Sequence, residues 1–304
     1  MAIVAVVLAG LQPAAAFAAC PTFASSTQVM GHVPDTSLNE LSDFVASTDH
    51  PGVFWTEEDS SNPNKVYAVT GTGTIVGEFT IQGTKDIDWE DLAIDRQAGT
   101  DSLYVGDIGD NKGTRDGSNT TGKSRVRLYR FPEPVVSASG PKVTGTITQF
   151  DTFVYRYADA NGTLIAPRNS ESLMVDPITH DVYVVEKKKQ TIGGTAQNWV
   201  FRFDQPLDPN GINIARKVAL TTTAKSYVSA DISPSGDIAL KAGAIAYIWP
   251  RTAPTVEATM NAHPAAPCNA TLIASEAIGW APDGLWTVPD GVAPAPIVRL
   301  AFAP

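Results

Sequence analysis

An all-β fold is the class that the sequence predicts, from a repeated phrase and the alternation within it. The phrase joins a small or acidic pair to alternating apolar residues and ends in a turn. Its five copies start 48, 81, 59 and 46 residues apart. Such spacing with period-two alternation predicts a β-propeller, in which each repeat forms one sheet and the first strands line a shared channel. The copies start at Ser42, Glu90, Glu171, Ala230 and Glu276.

A second apolar phrase follows each copy after a turn, as expected for the next strand of the same sheet. These second phrases start at Val53, Leu103, Val182, Ile238 and Leu285. No stretch shows a sustained helical period, which favours the all-β class. Outer strands are predicted from further extended runs at Arg125–Phe131, Gly145–Tyr157, Trp199–Phe203, Ala244–Trp249 and Ile297–Phe302.

The number of blades follows from the same phrases. The fifth repeat has only three predicted strands before the chain ends at Pro304. A segment around Ser26–Met30 can supply the missing outer strand, so we expect five blades in a ring closed by an N-terminal strand. The long interval between the second and third copies leaves room for a sixth, degenerate blade.

Composition and charge restrict the functional classes. The chain of 304 residues has no linker or charge block, which favours a single domain over residues 20–304. Its 22 basic and 32 acidic residues give a net charge of −10, which disfavours nucleic acid and anionic membranes as partners. The expected partner is a small molecule or an extracellular protein, and we expect a monomer with no transmembrane segment.

The first residues predict export. An apolar run followed by Ala16-Phe17-Ala18 resembles a signal peptide over residues 1–19 that is cleaved after Ala18, although a basic start is missing. A secreted protein can hold a disulfide, and the topology predicts a bridge between Cys20 and Cys268. The alternatives are two unpaired thiols, or a Cys20 that carries a lipid anchor.

Four motifs carry a resemblance to a known group. They are E-L-S-D-F-V-A-S from Glu40, D-W-E-D-L-A from Asp88, G-D-I-G-D-N from Gly106 and S-A-D-I-S-P-S-G from Ser229. The chain resembles secreted bacterial β-propeller proteins, described as WD40-like and related to phytase-like esterases and SMP-30-type propellers. The resemblance implies a channel mouth that binds calcium and, in some relatives, hydrolyses esters, lactones or phosphates. The chain departs from the group where a Glu-like position is lost.

The propeller arrangement places carboxylates from distant repeats around one channel mouth. Several carboxylates in a small aqueous space cannot all be ionised without a cation or shared protons. Calcium accepts six to eight oxygen ligands in loose geometry and suits such a ring. The alternative is that these carboxylates cap neighbouring strands by accepting backbone N–H bonds. The expected metal ligands are Glu90, Asp107, Glu171, Glu186 and Glu276, and the expected catalytic residues are Glu90, Glu171 and Glu276.

Three further motifs have weaker implications. Arg168 and Lys187 lie near these carboxylates and are the expected contacts of an anionic ligand. In G-D-I-G-D-N, Asp107, Asp110 and Asn111 form either ligands or an ordinary Asx-turn loop. The run from Gly117 to Ser124 matches a phosphate-binding loop, but a strand rather than a helix follows it, so we interpret it as a hairpin loop.

Two main functions are compatible with these residues. The first is an exported module that binds a ligand or a protein at an acidic, calcium-binding mouth. The alternative is a calcium-dependent hydrolase of phosphate esters, esters or lactones, in which a cation polarises the substrate and a spare carboxylate acts as base. A five-bladed glycosidase is a third alternative, because the ring can supply paired carboxylates. Whether the chain is an enzyme is left open by the sequence, because fold does not imply activity.

Overall fold

The computed structural model describes residues 19–59, 62–96, 100–115 and 125–304. Within these ranges the chain forms strands β1 to β22 and one short helix, which confirms the all-β prediction. The proposed signal peptide, apart from Ala19, and the whole phosphate-loop match lie outside the described residues. No helix in the described ranges combines the length and the hydrophobicity needed to cross a lipid bilayer.

The N-terminal strand and the first repeat come first along the chain. After β1 (Gln28–Val33), the first repeat forms an antiparallel meander, that is, a sheet in which strands follow one another in sequence order. Its strands are β2 (Val45–Ala46), β3 (Val53–Thr56), β4 (Lys65–Thr70) and β5 (Ile75–Ile81).

The second meander contains the strands of the second repeat. They are β6 (Trp89–Asp95), β7 (Ser102–Asp107), β8 (Arg127–Pro132) and β10 (Asp151–Ala158). The run predicted as one extended segment at Gly145–Tyr157 is divided in the structure. Its first part lies in β9 (Val143–Ile147), which pairs in parallel with β5 of the first meander, and only its second part belongs to β10.

The third meander is joined to the second. It comprises β11 (Ser170–Val175), β12 (Val182–Glu186), β14 (Thr195–Phe203) and β15 (Ile212–Thr221), and β13 (Gln190–Ile192) pairs with β14. The outer strands β10 and β15 pair in parallel over five residue pairs, so the two meanders form one continuous sheet.

The fourth meander contains the one helix of the described ranges. Its strands are β16 (Ser229–Ile232), β17 (Ile238–Ala242), β18 (Ile245–Trp249) and β19 (Cys268–Thr271). The helix α1 (Val256–Ala262) lies before β19, and the Thr255 side chain caps it by accepting from Ala258 N. This helix does not conflict with the lack of a sustained helical period in the sequence, because seven residues are too few to show one; its local signal is the Thr255 cap with Glu257 in the first turn.

The fifth meander brings the two ends of the chain together. It comprises β20 (Gly279–Ala281), β21 (Gly284–Thr287) and β22 (Ala295–Ala301), and β1 pairs antiparallel with β22. The first strands of the five meanders contact one another in a closed cycle: β2 with β6, β6 with β11, β11 with β16, β16 with β20, and β20 with β2.

The apolar core lies between neighbouring meanders. Five clusters of buried side chains each combine residues of two adjacent meanders, and the fifth cluster joins the last meander to the first. In this last cluster Phe44 stacks on Phe54 with ring centroids 4.4 Å apart, and Phe54 contacts Trp286 at 4.8 Å. Because the clusters continue around the whole cycle, burial of apolar surface holds the meanders together at each seam.

The predicted disulfide is confirmed. Cys20 and Cys268 are bonded, with their Cα atoms 5.8 Å apart, and the bridge ties the N-terminal segment to β19 of the fourth meander. A bonded Cys20 has no thiol for a lipid anchor.

Candidate functional site

Polar side chains lie at two levels of the channel, an upper level at the start of the first strands and a deeper level further along them. The deeper level consists of aspartates whose carboxylates accept hydrogen bonds from the backbone of another meander. Asp43 accepts from Leu92 N at 3.1 Å, and Asp91 accepts from Leu173 N at 2.5 Å. These carboxylates therefore cap neighbouring strands, which is the alternative role considered for the acidic phrase.

Ser229 connects this level across the channel. Its hydroxyl lies 3.2 Å from Asp91 Oδ1 and 3.4 Å from Asp43 Oδ1, and it accepts from Ile278 N. Ser229 therefore takes the place of the aspartates of the first two meanders. The fourth copy of the repeated phrase, taken to start at Ala230, aligns Asp231 with Asp43 and Asp91, and this alignment is two residues too far along. Asp231 instead accepts from Trp280 N at 2.8 Å, nearer the far end of the channel.

Burial controls the charge of the deeper level. Asp43 and Asp91 are both fully buried, and desolvation raises the pKa of each well above its usual value. Electrostatic repulsion raises both pKa values further, because the carboxylate of Asp231 repels that of Asp43, and the carboxylate of Asp43 repels that of Asp91. The two carboxyl groups also hydrogen-bond each other, which requires that they share a proton.

The upper level, at the start of the first strands, brings together the three expected catalytic residues. Lys187 forms an ion pair with Glu171 and also interacts electrostatically with Glu276 and Glu90. Asn169 Nδ2 donates to Glu171 at 3.1 Å. We call this region the acidic mouth, defined by Glu90, Glu171, Glu276 and Lys187 together with Asp59 and Asp88.

Protons are held tightly at the acidic mouth. Burial raises the pKa of Glu90, and the neighbouring charge of Glu171 adds to this effect. Burial also raises the pKa of Glu171, against the opposing effect of its hydrogen bond with Lys187. The pKa of Glu276 is raised by burial as well. Carboxyl groups of this kind gain most from a bound cation, because it replaces the protons and the lost hydration.

A cluster with metal-ligand spacing lies within the mouth. One carboxylate oxygen each from Asp59, Asp88 and Glu90 lies within 4.8 Å of the others. Of these three residues, only Glu90 was expected from the sequence as a ligand. Asp88 directly precedes the second acidic phrase, and Asp59 follows the second phrase of the first repeat. Both positions were visible as acidic runs, but only the folded ring shows that they converge.

Glu57 is a buried carboxylate beside this cluster. Its side chain is fully buried, and neither carboxylate oxygen has a hydrogen-bond partner within the described structure. Burial raises its pKa well above normal, and repulsion from Asp86 and Asp59 raises it further. A buried carboxylate without partners costs several kcal/mol, on the order of the desolvation penalty of an ion, unless a proton or a cation neutralises it.

Gly109 forms part of the wall of this cluster. A Cβ atom at this position would lie 2.2 Å from Glu90 Oε1 and 2.5 Å from Asp88 Oδ2. The backbone of the G-D-I-G-D-N loop therefore contacts the two carboxylates directly, and no larger residue fits there without moving them.

Three of the expected binding residues have other partners. Asp107 is paired with Arg115 at 2.6 Å and with Arg127 at 3.3 Å. Glu186 is paired with Arg168 at 3.5 Å, and Arg168 also lies over the ring of Trp199. These contacts satisfy the charges of Asp107, Glu186 and Arg168 within the protein.

Asp110 of the G-D-I-G-D-N loop binds the backbone of its own loop. It accepts from Thr114 N at 2.8 Å and from Arg115 N at 3.0 Å, four and five residues on, so its carboxylate caps the loop without the two-residue spacing of an Asx-turn. Asn111 Oδ1 accepts from Asn169 Nδ2 at 3.2 Å and so lies beside the mouth.

Comparison with known proteins gives only distant similarity. No protein-family model and no curated protein matches the chain. Among solved structures, a gluconolactonase from Xanthomonas campestris is similar over 83% of this chain and 69% of that one, at 12% identity and a TM-score of 0.43. The structure of U3-55K is similar over 93% of this chain and 100% of that one, at 9% identity and a TM-score of 0.44. Neither similarity informs the chemistry of the acidic mouth.

Proposed function

We propose that the protein is an exported five-bladed β-propeller that binds Ca²⁺ at its acidic mouth and uses this mouth to bind a small molecule or an extracellular protein. The five meanders are the blades, and β1 closes the ring by completing the fifth. Residues 20–304 form the propeller domain, and residues 1–19 are its signal peptide. The Cys20–Cys268 disulfide is compatible with an oxidising compartment.

The unpartnered Glu57 beside the cluster of Asp59, Asp88 and Glu90 carries this proposal. All of the candidate ligand atoms are carboxylate oxygens, which Ca²⁺ and Mg²⁺ prefer. Calcium fits better, because the oxygens come from separate strands and loops and Ca²⁺ tolerates irregular coordination. Mg²⁺ demands near-octahedral geometry and keeps most of its water.

The ligand at the mouth is expected to carry an anionic oxygen. Lys187 is partly exposed, and its ammonium group lies beside the proposed cation site. Together the two positive charges favour a carboxylate or phosphate over a neutral group. The amide of Asn111 adds a neutral donor at the same rim, whereas Asn169 Nδ2 already donates to Asn111 and Glu171.

Calcium binding is tested by calorimetric titration of the metal-free protein with Ca²⁺ and Mg²⁺. We expect stoichiometric Ca²⁺ binding, much weaker Mg²⁺ binding, and at least a tenfold loss of Ca²⁺ affinity in Glu90→Gln and Asp59→Asn. Asp204→Asn is the matched control, because Asp204 pairs with Arg216 at 2.6 Å on an outer strand. Unchanged affinity in both mouth variants would refute the site.

Hydrolysis is a second candidate, favoured by the raised pKa of Glu171. A carboxyl group whose pKa is raised toward neutrality can accept a proton from attacking water and return it to the leaving group. Bound Ca²⁺ would polarise the ester, lactone or phosphate oxygen. Calcium-dependent turnover of such generic substrates, lost in Glu171→Gln, would establish this activity. Calcium binding without turnover of any of them would exclude it and leave the binding function.

A further inference from the structure

A second concave site lies at the opposite end of the channel from the acidic mouth. The first strands run away from the mouth and end near Ala46, Arg96, Ser233 and Ala281, which line a pocket of about 1000 Å³. We call it the basal pocket. Its volume lies at the upper end of the range of small-molecule sites, about 300–1,000 Å³.

The walls of the basal pocket are mainly apolar and include four aromatic side chains. Phe54 and Trp286, which contact each other, line it from the first and fifth meanders. Trp280 and Phe302 line it as a stacked pair with ring centroids 6.2 Å apart. Such a surface favours the apolar chain or ring of a ligand.

Arg96 brings a positive charge to this apolar surface. Its side chain is 8% exposed, and its nearest carboxylate, Asp231, lies 3.9 Å away, at the limit of an ion pair. Its hydrogen bonds to Ile232 O and Ala46 O are long, at 3.4 and 3.5 Å. A guanidinium group offers five donors in a planar fork, so Arg96 is poorly satisfied.

Two donors of the pocket residues have no acceptor in the described structure. Arg96 Nε and Trp280 Nε1 are both buried and without a hydrogen-bond partner. Both residues meet at Asp231, which accepts from the Trp280 backbone N and faces the Arg96 guanidinium. Unpartnered buried donors are costly, and an acceptor that entered the pocket would relieve this cost.

The acidic residues of the wall do not compete for Arg96. Asp283 pairs with Arg299 at 2.6 Å and accepts from Trp286 Nε1 at 2.9 Å. Asp237 accepts from Arg251 N at 2.8 Å. The basal pocket therefore combines an apolar wall with two hydrogen-bond donors that lack acceptors, Arg96 Nε and Trp280 Nε1.

We propose that the basal pocket binds an organic monocarboxylate with an apolar chain or ring, its carboxylate on the Arg96 guanidinium and its apolar part against Phe54 and Trp286. This binding is independent of the calcium site at the acidic mouth. Charge complementarity distinguishes this ligand from a neutral apolar molecule, which would leave the donors unpaired.

The test is calorimetric titration of the full chain in EDTA with decanoate and with benzoate, each compared with its alcohol, decanol or benzyl alcohol. We expect a carboxylate to bind at least tenfold more tightly than its alcohol. Arg96→Gln should remove this preference, and Arg96→Lys should retain part of it, since the charge remains but the bidentate fork is lost. Asp204→Asn, far from the pocket lining, is the control and should leave carboxylate binding unchanged.

Equal binding of acid and alcohol, or no binding of either carboxylate, would overturn the proposal even if Arg96→Gln failed to fold. A second variant tests whether the carboxylate binds in the basal pocket. Ser235→Trp, at an exposed turn on the rim, should obstruct the pocket and weaken binding. Carboxylate binding that survives Ser235→Trp and disappears in Lys187→Met would assign it to the acidic mouth and refute the basal pocket.

Discussion

Asp91 and Ser229 are joined across the channel by a 3.2 Å hydrogen bond from the serine hydroxyl to Asp91 Oδ1. The other oxygen of Asp91 accepts from the backbone N–H groups of Leu173 and Ala230. One side chain of the second meander therefore binds the third and the fourth.

Replacement of Asp91 by alanine is expected to destabilise the protein by about 3 kcal/mol, because two buried backbone donors lose their acceptor. Asp91→Asn should lower the free energy of unfolding by less, since its amide oxygen still accepts the two backbone hydrogen bonds.

The matched control is Ser172→Ala at the equivalent position of the third meander. The Ser172 hydroxyl has no hydrogen-bond partner in the described structure, so this change should cost under about 0.5 kcal/mol. Urea unfolding measures all three, and equal costs for Asp91→Ala and Ser172→Ala would contradict this role.

Without calcium, the protein is expected to lose stability as the pH rises from about 4 to about 7. Burial raises the pKa of Asp86 to about 7, and those of Glu57, Glu90 and Asp91 are raised too. Each group binds its proton more tightly when folded. Its stabilisation is therefore complete below the unfolded pKa near 4 and is lost as the pH passes the folded pKa, by up to about 1.4 kcal/mol per pH unit for each proton.

Thermal unfolding in EDTA across this range, with and without excess Ca²⁺, measures the effect. Calcium should flatten the curve, and Asp86→Asn should reduce its slope, whereas the exposed Asp208→Asn should not. Stability that increases with pH in EDTA would show that lowered carboxyl pKa values dominate instead, such as that of Glu78, which hydrogen bonds from Lys142 and Lys65 lower.

Removal of the Lys187 charge is expected to strengthen calcium binding by about tenfold in Lys187→Met. The ammonium group interacts with Glu171, Glu276 and Glu90, so it repels a divalent cation at the same mouth. The metal-free variant should be less stable than the parent, because Glu171 loses its partner. Calorimetry and thermal unfolding give the two readouts, with the exposed Lys189→Met as control. Weaker calcium binding in Lys187→Met would indicate that the lysine positions the ligands rather than opposing the metal.

Gly109→Ala is expected to weaken calcium binding by at least tenfold while leaving the melting temperature in EDTA nearly unchanged. The new methyl group would displace the carboxylates of Glu90 and Asp88. Gly140→Ala, in the turn before β9, is the control for a general effect of removing a glycine. An unaltered calcium affinity in Gly109→Ala would place the metal away from these two side chains.

The sequence predicted the local structure well, because alternation and turn residues act over a few positions. It located the five first strands, and it selected Glu90, Glu171 and Glu276, which the structure brings around Lys187. The disulfide was also predictable, since pairing of an N-terminal strand with the last repeat carries the N-terminus toward Cys268.

Features that depend on contacts between meanders could not be predicted. The position of Ser229 was misjudged by two residues, because an S-A-D motif fits the acidic phrase in either register and only the bond to Asp91 decides. Asp59 and Asp88 could not be assigned to the site from the sequence, because they lie close to Glu90 only once the meanders are arranged in a ring. Arg96 was not predicted as a binding residue, since a single arginine at a strand end has no motif. Its importance comes from the apolar and aromatic side chains that line the pocket with it.

The parallel contact between β10 and β15 gives the molecule a mechanical asymmetry. It joins the second and third meanders into one continuous sheet, a plate. The first meander is also linked to this part of the chain, because β9, which lies between β8 and β10 in sequence, pairs with β5; in the described residues no strand ladder crosses the other three seams. When thermal motion widens the channel, this plate moves as a unit and the opening falls on the remaining seams. Fraying is then expected to begin where β1 meets β22, with the Cys20–Cys268 bond as the tether that limits how far that end peels away.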